Sequence, residues 1–265
     1  MEERPRSADF VQSLERGLAV IRAFDAEHRE LGLSEVARIT GLTRAAARRF
    51  LLTLVRLGYM SFSDGRFSLS PRVLELGYAY LSSLTLPQVA QPHMEALVDS
   101  VNESSSISVL DDLEVVYVAR VPTRRIMSIT LSVGTRLPAY ATSMGRVLLA
   151  ALPEPELEAR LARIDVRPLS AHTISSADEL RTVLERVRKQ GWAAVDQELE
   201  EGLRSLAVPI RGAADEVVAA LNVSVHASRG SMTMLRRDFL PHARQAADAI
   251  EADLRRAVGA GPLGR

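Results

Sequence analysis

A chain of 265 residues, 47% apolar and 25% charged, is long enough for one large domain or two ordinary ones, and its composition is globular rather than disordered, collagenous or coiled-coil. Lysine plus arginine and aspartate plus glutamate both number 33, so the formal net charge is zero and any attraction to nucleic acid or membrane has to be local. The absence of cysteine excludes disulfides, thiolate zinc sites and cysteine nucleophiles. The opening MEERPRSADF lacks the apolar core of a signal peptide and no apolar run reaches the length of a membrane span, so a cytoplasmic protein without a membrane partner is expected.

From Val11 to about Phe24 the apolar period is helical, and Leu14, Leu18 and Ile21 are expected to share its inward face. A short helix starting at Ser34, whose hydroxyl would cap free N–H groups, should carry Val36 and Ile39 inward. Gly41 ends it, because a residue without Cβ enters the left-handed conformation that a sharp turn needs. Thr43 is placed to cap the next helix, within GLTRAAARRFLLTLVRLG. At about 100° per residue, Ala47, Phe50, Leu51, Leu54 and Leu57 fall on one arc, and Ala45, Arg48, Arg49, Leu52 and Arg56 on the opposite one. Asp64-Gly65 between two alternating runs marks a hairpin. Short helix, glycine turn, capped helix and hairpin are the order of a winged helix-turn-helix, whose second helix enters the DNA major groove.

In that reading Thr43, Arg44, Ala45, Arg48 and Arg49 meet DNA, the small alanines giving clearance and the arginines reaching guanine edges or phosphates, with Arg66 in the wing. Between Arg38 and Arg72 seven arginines stand against one acid, Asp64, a net of 7 − 1 = +6 in a neutral chain. A solvated arginine face on an ordinary helix hairpin is the alternative.

The texture changes near Leu84 to Pro92. Before it, PRVLELGYAYLSSL opens on proline and puts Leu74, Tyr78 and Leu81 on one stripe, as a helix packed against a partner would. Beyond it a helix from about Val89 to Val101 leads into six expected strands, SISVL, VVYVARV, MSITLSV, WAAVD, SLAVPI and VVAALNVSV. Helices are expected from Ser143 to Ala151, Glu154 to Leu161 and Ser176 to Gln190, the last opened by a capping box of Ser176 with Glu179 and closed by Gly191. A final helix runs from Thr233 to about Ala257, perturbed early by Pro241, and GAGPLGR should fray. The expected division is a DNA-binding domain over 1–70, a linker helix over 71–88, an α/β domain over 89–258 and a tail over 259–265.

No catalytic constellation is legible. The histidines are scattered without metal-ligand spacing, and there is no GxSxG, phosphate-binding glycine loop or dinucleotide fingerprint. No catalytic residue, metal or cofactor is therefore expected, and the acids of VDQELEEGLR read as solvated or paired. A pocket that binds an acid wants arginine and free N–H groups at a helix start. Thr123, Arg124 and Arg125, between the second and third strands, offer the first; Ala141 to Met144 offer the second, and Tyr140 an aromatic wall. Arg188 is expected on a solvated helix face. A small-molecule-binding or hydrolytic protein whose basic hairpin meets some other acidic partner remains the competing class.

SLERGLAVIRAF, LSEVARITGLTRAAARRFLLTLVRLGYM and FSLSPRVLELGYAYLSSL resemble, in order and spacing, the amino-terminal domain of the IclR family of bacterial transcription regulators. The resemblance continues through LPAYATSMGRVLLAAL and VDQELEEGLRSLAVPI to the last helix. VARVPTRRIMS with ATSMGRVLLA looks most like the branch that controls aromatic-acid catabolism through the β-ketoadipate pathway, the protocatechuate and 4-hydroxybenzoate regulators. It implies an α+β chain of two domains: a winged helix-turn-helix, a linker helix and a GAF-like α/β effector-binding domain, assembled as a dimer or dimer of dimers on an operator. It also implies an effector site at the turn of Ser143 and Met144 and at Asp196, Ser205, Asn222 and Ser224, for an aromatic or dicarboxylic acid. Several members carry Gly-Ala in place of Ser143-Met144 and cysteine in place of Ser205.

Overall fold

The computed structural model describes residues 10–25, 27–76, 85–123 and 131–259. It separates into two compact units, Met1–Ser83 and Leu84–Arg265.

In the first unit α1 (Gln12–Arg22), α2 (Leu33–Thr40) and α3 (Arg44–Arg56) close over a three-stranded antiparallel sheet of β1 (Glu30–Gly32), β2 (Met60–Ser63) and β3 (Arg66–Leu69), in the order β1-β3-β2. Local chemistry sets most of these bounds. Gly41 ends α2 at φ +66°, Thr43 Oγ1 accepts the Ala46 N–H at 3.2 Å to open α3, and Asp64 and Gly65 both take positive φ in the hairpin turn. Ala47, Leu51 and Leu54 enter the core, with Phe50 packed against it; Leu57, at the helix end, is 51% exposed instead.

Three expectations are corrected here. The core face of α1 is Val20, followed by Ala23 and Phe24, whereas Leu14 and Leu18 point outward with Phe10 and Val11. Helix α2 starts one residue before Ser34, and its cap is the Glu35 carboxylate, which accepts the Gly32 N–H at 2.7 Å; a carboxylate one turn in outcompetes a hydroxyl already inside the helix. Ile39 is exposed and Val36 alone of that pair is buried. After β3 a 3-10 turn covers Pro71–Leu74, where Leu74 is exposed; Tyr78 and Leu81 of the expected stripe lie outside the described residues.

The second unit is built on a six-stranded antiparallel sheet in the order β6-β5-β4-β9-β8-β7. The strands are β4 (Ser104–Asp111), β5 (Glu114–Val121), β6 (Arg136–Pro138), β7 (Ala193–Asp196), β8 (Leu203–Arg211) and β9 (Val217–His226). The third expected strand, MSITLSV, lies outside the described residues over 127–130; β6, at Arg136–Pro138, pairs with β5. Alternation along β8 and β9 sorts two faces: Leu206, Val208, Ile210, Leu221, Val223 and Val225 pack under α4 (Thr85–Val101) and α8 (Leu240–Gly259). The other face carries Ala207 and Ala220 against α5 (Ser143–Ala151), α6 (Glu154–Leu161) and α7 (Ala177–Gln190).

Helix α7 shows a capping box displaced by one residue: Ser176 Oγ accepts the Glu179 N–H, but the Glu179 carboxylate takes the N–H and hydroxyl of Ser175. Helix α8 is preceded by a single turn at Met232–Met234 and a π-helical turn at Leu235–Phe239, the place where Pro241, lacking an N–H, cannot continue an ordinary ladder.

One close approach fixes the second unit locally. A Cβ on Gly145 would lie 2.2 Å from the Ala139 carbonyl oxygen, so the first turn of α5 rests directly on the 3-10 turn Ala139–Ala141. Alanine's helix propensity would favour Gly145→Ala by about 1 kcal/mol, but the clash is with backbone that cannot rotate away, and overpacking of this kind costs about 3 kcal/mol. Urea unfolding of Gly145→Ala should therefore show a net loss of stability; a gain would mean that α5 stands off the turn.

Candidate functional site

Two places concentrate chemistry. The first is the outward arc of α3, where Arg44, Ala45, Arg48, Arg49 and Arg56 are all exposed beside Thr43, the helix cap. No hydrogen bond or ion pair among the described residues engages the side chains of Arg44, Arg48 or Arg49. Arg66 differs. Its Nη2 donates to the Glu30 carbonyl at 2.8 Å and lies 3.4 Å from Glu35 Oε2, so it ties the hairpin to β1 and the start of α2. Arg72 is likewise taken, donating to the Leu57 carbonyl at 3.0 Å over the Tyr59 ring. The outward arc of α3 thus carries several cations without a partner among the described residues, the pattern that a surface for polyanions requires.

The second place is a cavity between the sheet and the start of α5, with Tyr117, Arg120, Ser143, Met144, Ser205 and Ser224 among its walls and about 20 Å³ of open space. Strand register explains who lines it. Directly paired residues share a face, so Arg120, Ser106 and Asn222 form one row across β5, β4 and β9, and Ser104, Ser224 and Ser205 the next across β4, β9 and β8. Asn222 is locked in place, accepting the Ser106 N–H at 2.9 Å and donating to Ser224 Oγ at 3.0 Å.

The start of α5 supplies the facing wall. Thr142 caps it, accepting from the Gly145 N–H at 3.1 Å, and its carbonyl accepts from Arg146. No bond among the described residues takes the N–H of Ser143 or Met144. Ser143 Oγ is buried without a partner. A buried hydroxyl and two free N–H groups at a helix start form an anion receptor.

Arg120 completes it. Its guanidinium makes no hydrogen bond or ion pair among the described residues, and burial pulls its pKa below the usual arginine range, against a smaller opposing influence of Tyr117. Burial pushes the Tyr117 hydroxyl up to about 12, so it remains a neutral donor at any physiological pH. No carboxylate lines the cavity among its described residues.

The sequence-expected residues are distributed unevenly. Ser143, Met144, Ser205, Asn222 and Ser224 line the cavity. Tyr140 does not: its hydroxyl donates to the Arg167 carbonyl at 3.0 Å and accepts the Arg167 N–H, and the aromatic wall is Tyr117. Asp196 is also outside the lining, held by Arg204 at 2.7 Å. Burial opposes its ionisation, but hydrogen bonds from Arg204 and Gln197 and the nearby charges keep its carboxyl below the usual range. Arg124 and Arg125 lie outside the described residues. Arg188 is exposed on α7, as expected, and its guanidinium donates to the carbonyls of Ala150 and Leu152 and pairs with Glu154.

Arg120 was missed because plain alternation puts it on the face opposite Tyr117. The register shifts between Ile107 and Ser108, which pair with Ala119 and Tyr117, so Val118 is an extra residue in β5 and turns Arg120 back to the side of Tyr117. Among the described residues no group of three or more histidines and acids could hold a metal, and no helix is long and apolar enough to cross a membrane.

Comparison with known proteins bears on both places. Residues 13–62 match the IclR helix-turn-helix domain, and residues 78–252 the family described as bacterial transcriptional regulator IclR, C-terminal. The Pca regulon regulatory protein of Pseudomonas putida is 48% identical over 235 residues, 88% of this chain and 80% of its own length. A crystal structure from Rhodococcus sp. RHA1 is 57% identical with a TM-score of 0.84, covering 94% of this chain and all of that one (100%). An IclR homologue from Microbacterium hydrocarbonoxydans, crystallised with 4-hydroxybenzoate, is 28% identical with a TM-score of 0.81, over 92% of this chain and 99% of that one.

Arg48→Ala should weaken binding to the preferred DNA sequence and, where it meets guanine, relax preference at one base pair by about 1–3 kcal/mol. Arg66→Ala should lower the melting temperature as well, since it frees the hairpin from Glu30 and Glu35. Gel shifts on single-base variants of the site, beside thermal melts, check both; unchanged affinity and preference for Arg48→Ala would remove it from the interface.

Proposed function

The chain belongs to the IclR family of bacterial transcriptional regulators, and from that premise we propose that it binds an operator through α3 and answers to a small carboxylic acid of aromatic catabolism, with protocatechuate, 4-hydroxybenzoate and β-ketoadipate as candidates. It is a regulator, not an enzyme, as its named relatives are. The cytoplasm is the compartment that this role requires.

The observation that carries the effector assignment is the unpaired, partly buried guanidinium of Arg120 beside the unpartnered Ser143 hydroxyl. An anion leaves water for an apolar cavity only when fixed donors replace its hydration. Arg120, Tyr117, Ser143 and the free N–H groups of α5 are such donors, while Met144, Val195, Leu199 and Leu203 supply apolar walls for a ring or carbon chain. Asn222 and Ser224 orient a second polar group at the far strands. Asp196, paired with Arg204, contributes by holding the strand end rather than by touching the ligand.

The size of the cavity bears on regulation. About 20 Å³ holds one water molecule, so an aromatic acid enters only as the walls rearrange, and the occupied form differs from the form described here. A ligand that prefers one arrangement shifts the balance between arrangements by no more than that preference.

For assembly, α1 carries apolar residues on two faces. Val20 serves the core, while Leu14 and Leu18, in line with the cap residue Val11, are 63% and 45% exposed on another side. We assign this stripe to contact with a second copy, because a single winged domain buries too little DNA for nanomolar specificity.

Calorimetry with the three acids on the full chain should detect one of them, and Arg120→Ala should weaken it by about 10- to 150-fold, the worth of about 1.5–3 kcal/mol for a hydrogen bond to a charged group. Arg186→Ala, on the exposed face of α7, should leave it unchanged. Failure of every acid, or parental affinity in Arg120→Ala, would refute the effector assignment. Leu14→Asp with Leu18→Asp should shift light scattering toward the monomer and weaken operator binding; a parental mass would remove α1 from the contact.

A further inference from the structure

The same α1 has an inner edge that the DNA-binding reading leaves unexplained. Towards its start α1 diverges from α3, and a groove of about 370 Å³ opens between them, with Gln12, Ser13 and Arg16 on one side, Ala46 and Arg49 on the other and Phe50 as an apolar base. Two guanidinium groups thus line one groove. No acid is among its lining residues, and no hydrogen bond or ion pair among the described residues engages either arginine. On the sheet side of this unit, by contrast, Arg66 is held by a carbonyl and a carboxylate and Arg72 by a carbonyl and Glu75. Like charges facing each other across a groove are mutually destabilising unless an anion lies between them.

We propose that this groove receives a backbone phosphate of double-stranded DNA, at Arg16 and Arg49, beside the base pairs that α3 reads. Three features select this occupant. The groove is continuous with the DNA-facing arc: on a wheel of about 100° per residue, Arg49 falls between Ala46, in the groove, and Ala45, next to Arg48. Its chemistry is that of a phosphodiester: two guanidinium forks for two anionic oxygens, with the Gln12 amide and Ser13 hydroxyl as neutral donors. Its small wall, Ala46, leaves room for a sugar-phosphate chain where a longer side chain would fill the gap.

A phosphate contact carries no sequence information; it fixes how the helix is seated. Arg16 is therefore a seating residue, and Arg49 has a double position, at the groove and at the edge of the reading arc. The proposal rests on the DNA-binding reading of α3, and the test separates the two.

Affinity of the full chain is measured at several salt concentrations for the duplex upstream of its own gene and for an unrelated duplex of the same length. Arg16→Ala should weaken both by the same factor and reduce the magnitude of the slope of log K against log salt by about 0.9 per half-site, the release expected for one B-DNA phosphate. Arg16→Lys should keep most of the slope, since the charge remains. Ethylation interference should lose one phosphate per half-site outside the bases that Arg48→Ala affects. Inorganic phosphate at constant ionic strength should compete no better than sulfate; specific competition would mark the groove as a site for the free ion and overturn the proposal. An unchanged slope in a natively melting Arg16→Ala protein also overturns it, and so does a loss confined to the preferred sequence. Should Arg48→Ala leave both duplexes bound as before, it is the reading of α3 that fails.

Discussion

Arg146 and Glu198 form the interaction on which the second unit's chemistry depends. Arg146 Nη1 and Nη2 donate to the two carboxylate oxygens at 2.7 and 2.5 Å, Nε donates to the Tyr140 carbonyl at 2.9 Å, and Glu198 also accepts the Ile174 N–H at 3.2 Å. The side chains are 3% and 12% exposed. Dehydrating two charges costs several kcal/mol each, and such a pair breaks even only with close geometry and further hydrogen bonds, of which the Tyr140 carbonyl and the Ile174 N–H supply two. Its consequence is position. The pair ties α5, the turn before it and the loop after β7 to one another, and the next residue along that loop, Leu199, is a cavity wall. Gly145, one residue before Arg146, makes the same fit sterically by admitting the Ala139 carbonyl. The free N–H groups of Ser143 and Met144 face the sheet because both devices hold the helix start down.

Much of this was readable where the determinant was local. Gly41, Thr43 and the Asp64-Gly65 turn each act within four residues, and the structure has them as the sequence suggests. Periodicity failed where two answers satisfied it. Helix α1 has apolar residues on opposite sides, and a period of 3.6 cannot tell which set meets the core, so Leu14 and Leu18 were placed inward when Val20 is the buried residue. The acids of VDQELEEGLR gave no sign of which would be buried, because the partner of Glu198 lies 52 residues away.

The cavity shows the same division more sharply. Ser205, Asn222 and Ser224, which the family resemblance implied, sit where simple alternation on β8 and β9 is kept, since the neighbours Leu206, Leu221 and Val223 face the other layer. Arg120 does not follow, because the extra residue at Val118 reverses the faces beyond it, and a bulge leaves no signature in VVYVARV that differs from an unbroken strand. The arginines expected in the connection after β5, Arg124 and Arg125, lie outside the described residues, and Arg120 on the strand itself carried no sign of its face. A period-2 pattern misses such a residue because a single inserted residue moves every later side chain to the opposite face.

Charge is arranged by the same logic of short range over total. The stretch from Arg38 to Arg72 carries +6, so the remainder of this neutral chain carries −6, yet the cavity in that acidic remainder holds a cation and no acid among its described residues. At physiological ionic strength exposed charges are screened within about 8 Å. The exposed acids would therefore do little to an anion inside the cavity, whose walls include Arg120 and the start of α5. Both places carry the same device, arginine without an internal acid partner among the described residues, on two scaffolds. On α3 the guanidinium groups stand in solvent, where many weak contacts add and salt weakens them. In the cavity the one guanidinium is already partly dehydrated by burial, so that an anion meeting it would find part of the desolvation cost already met.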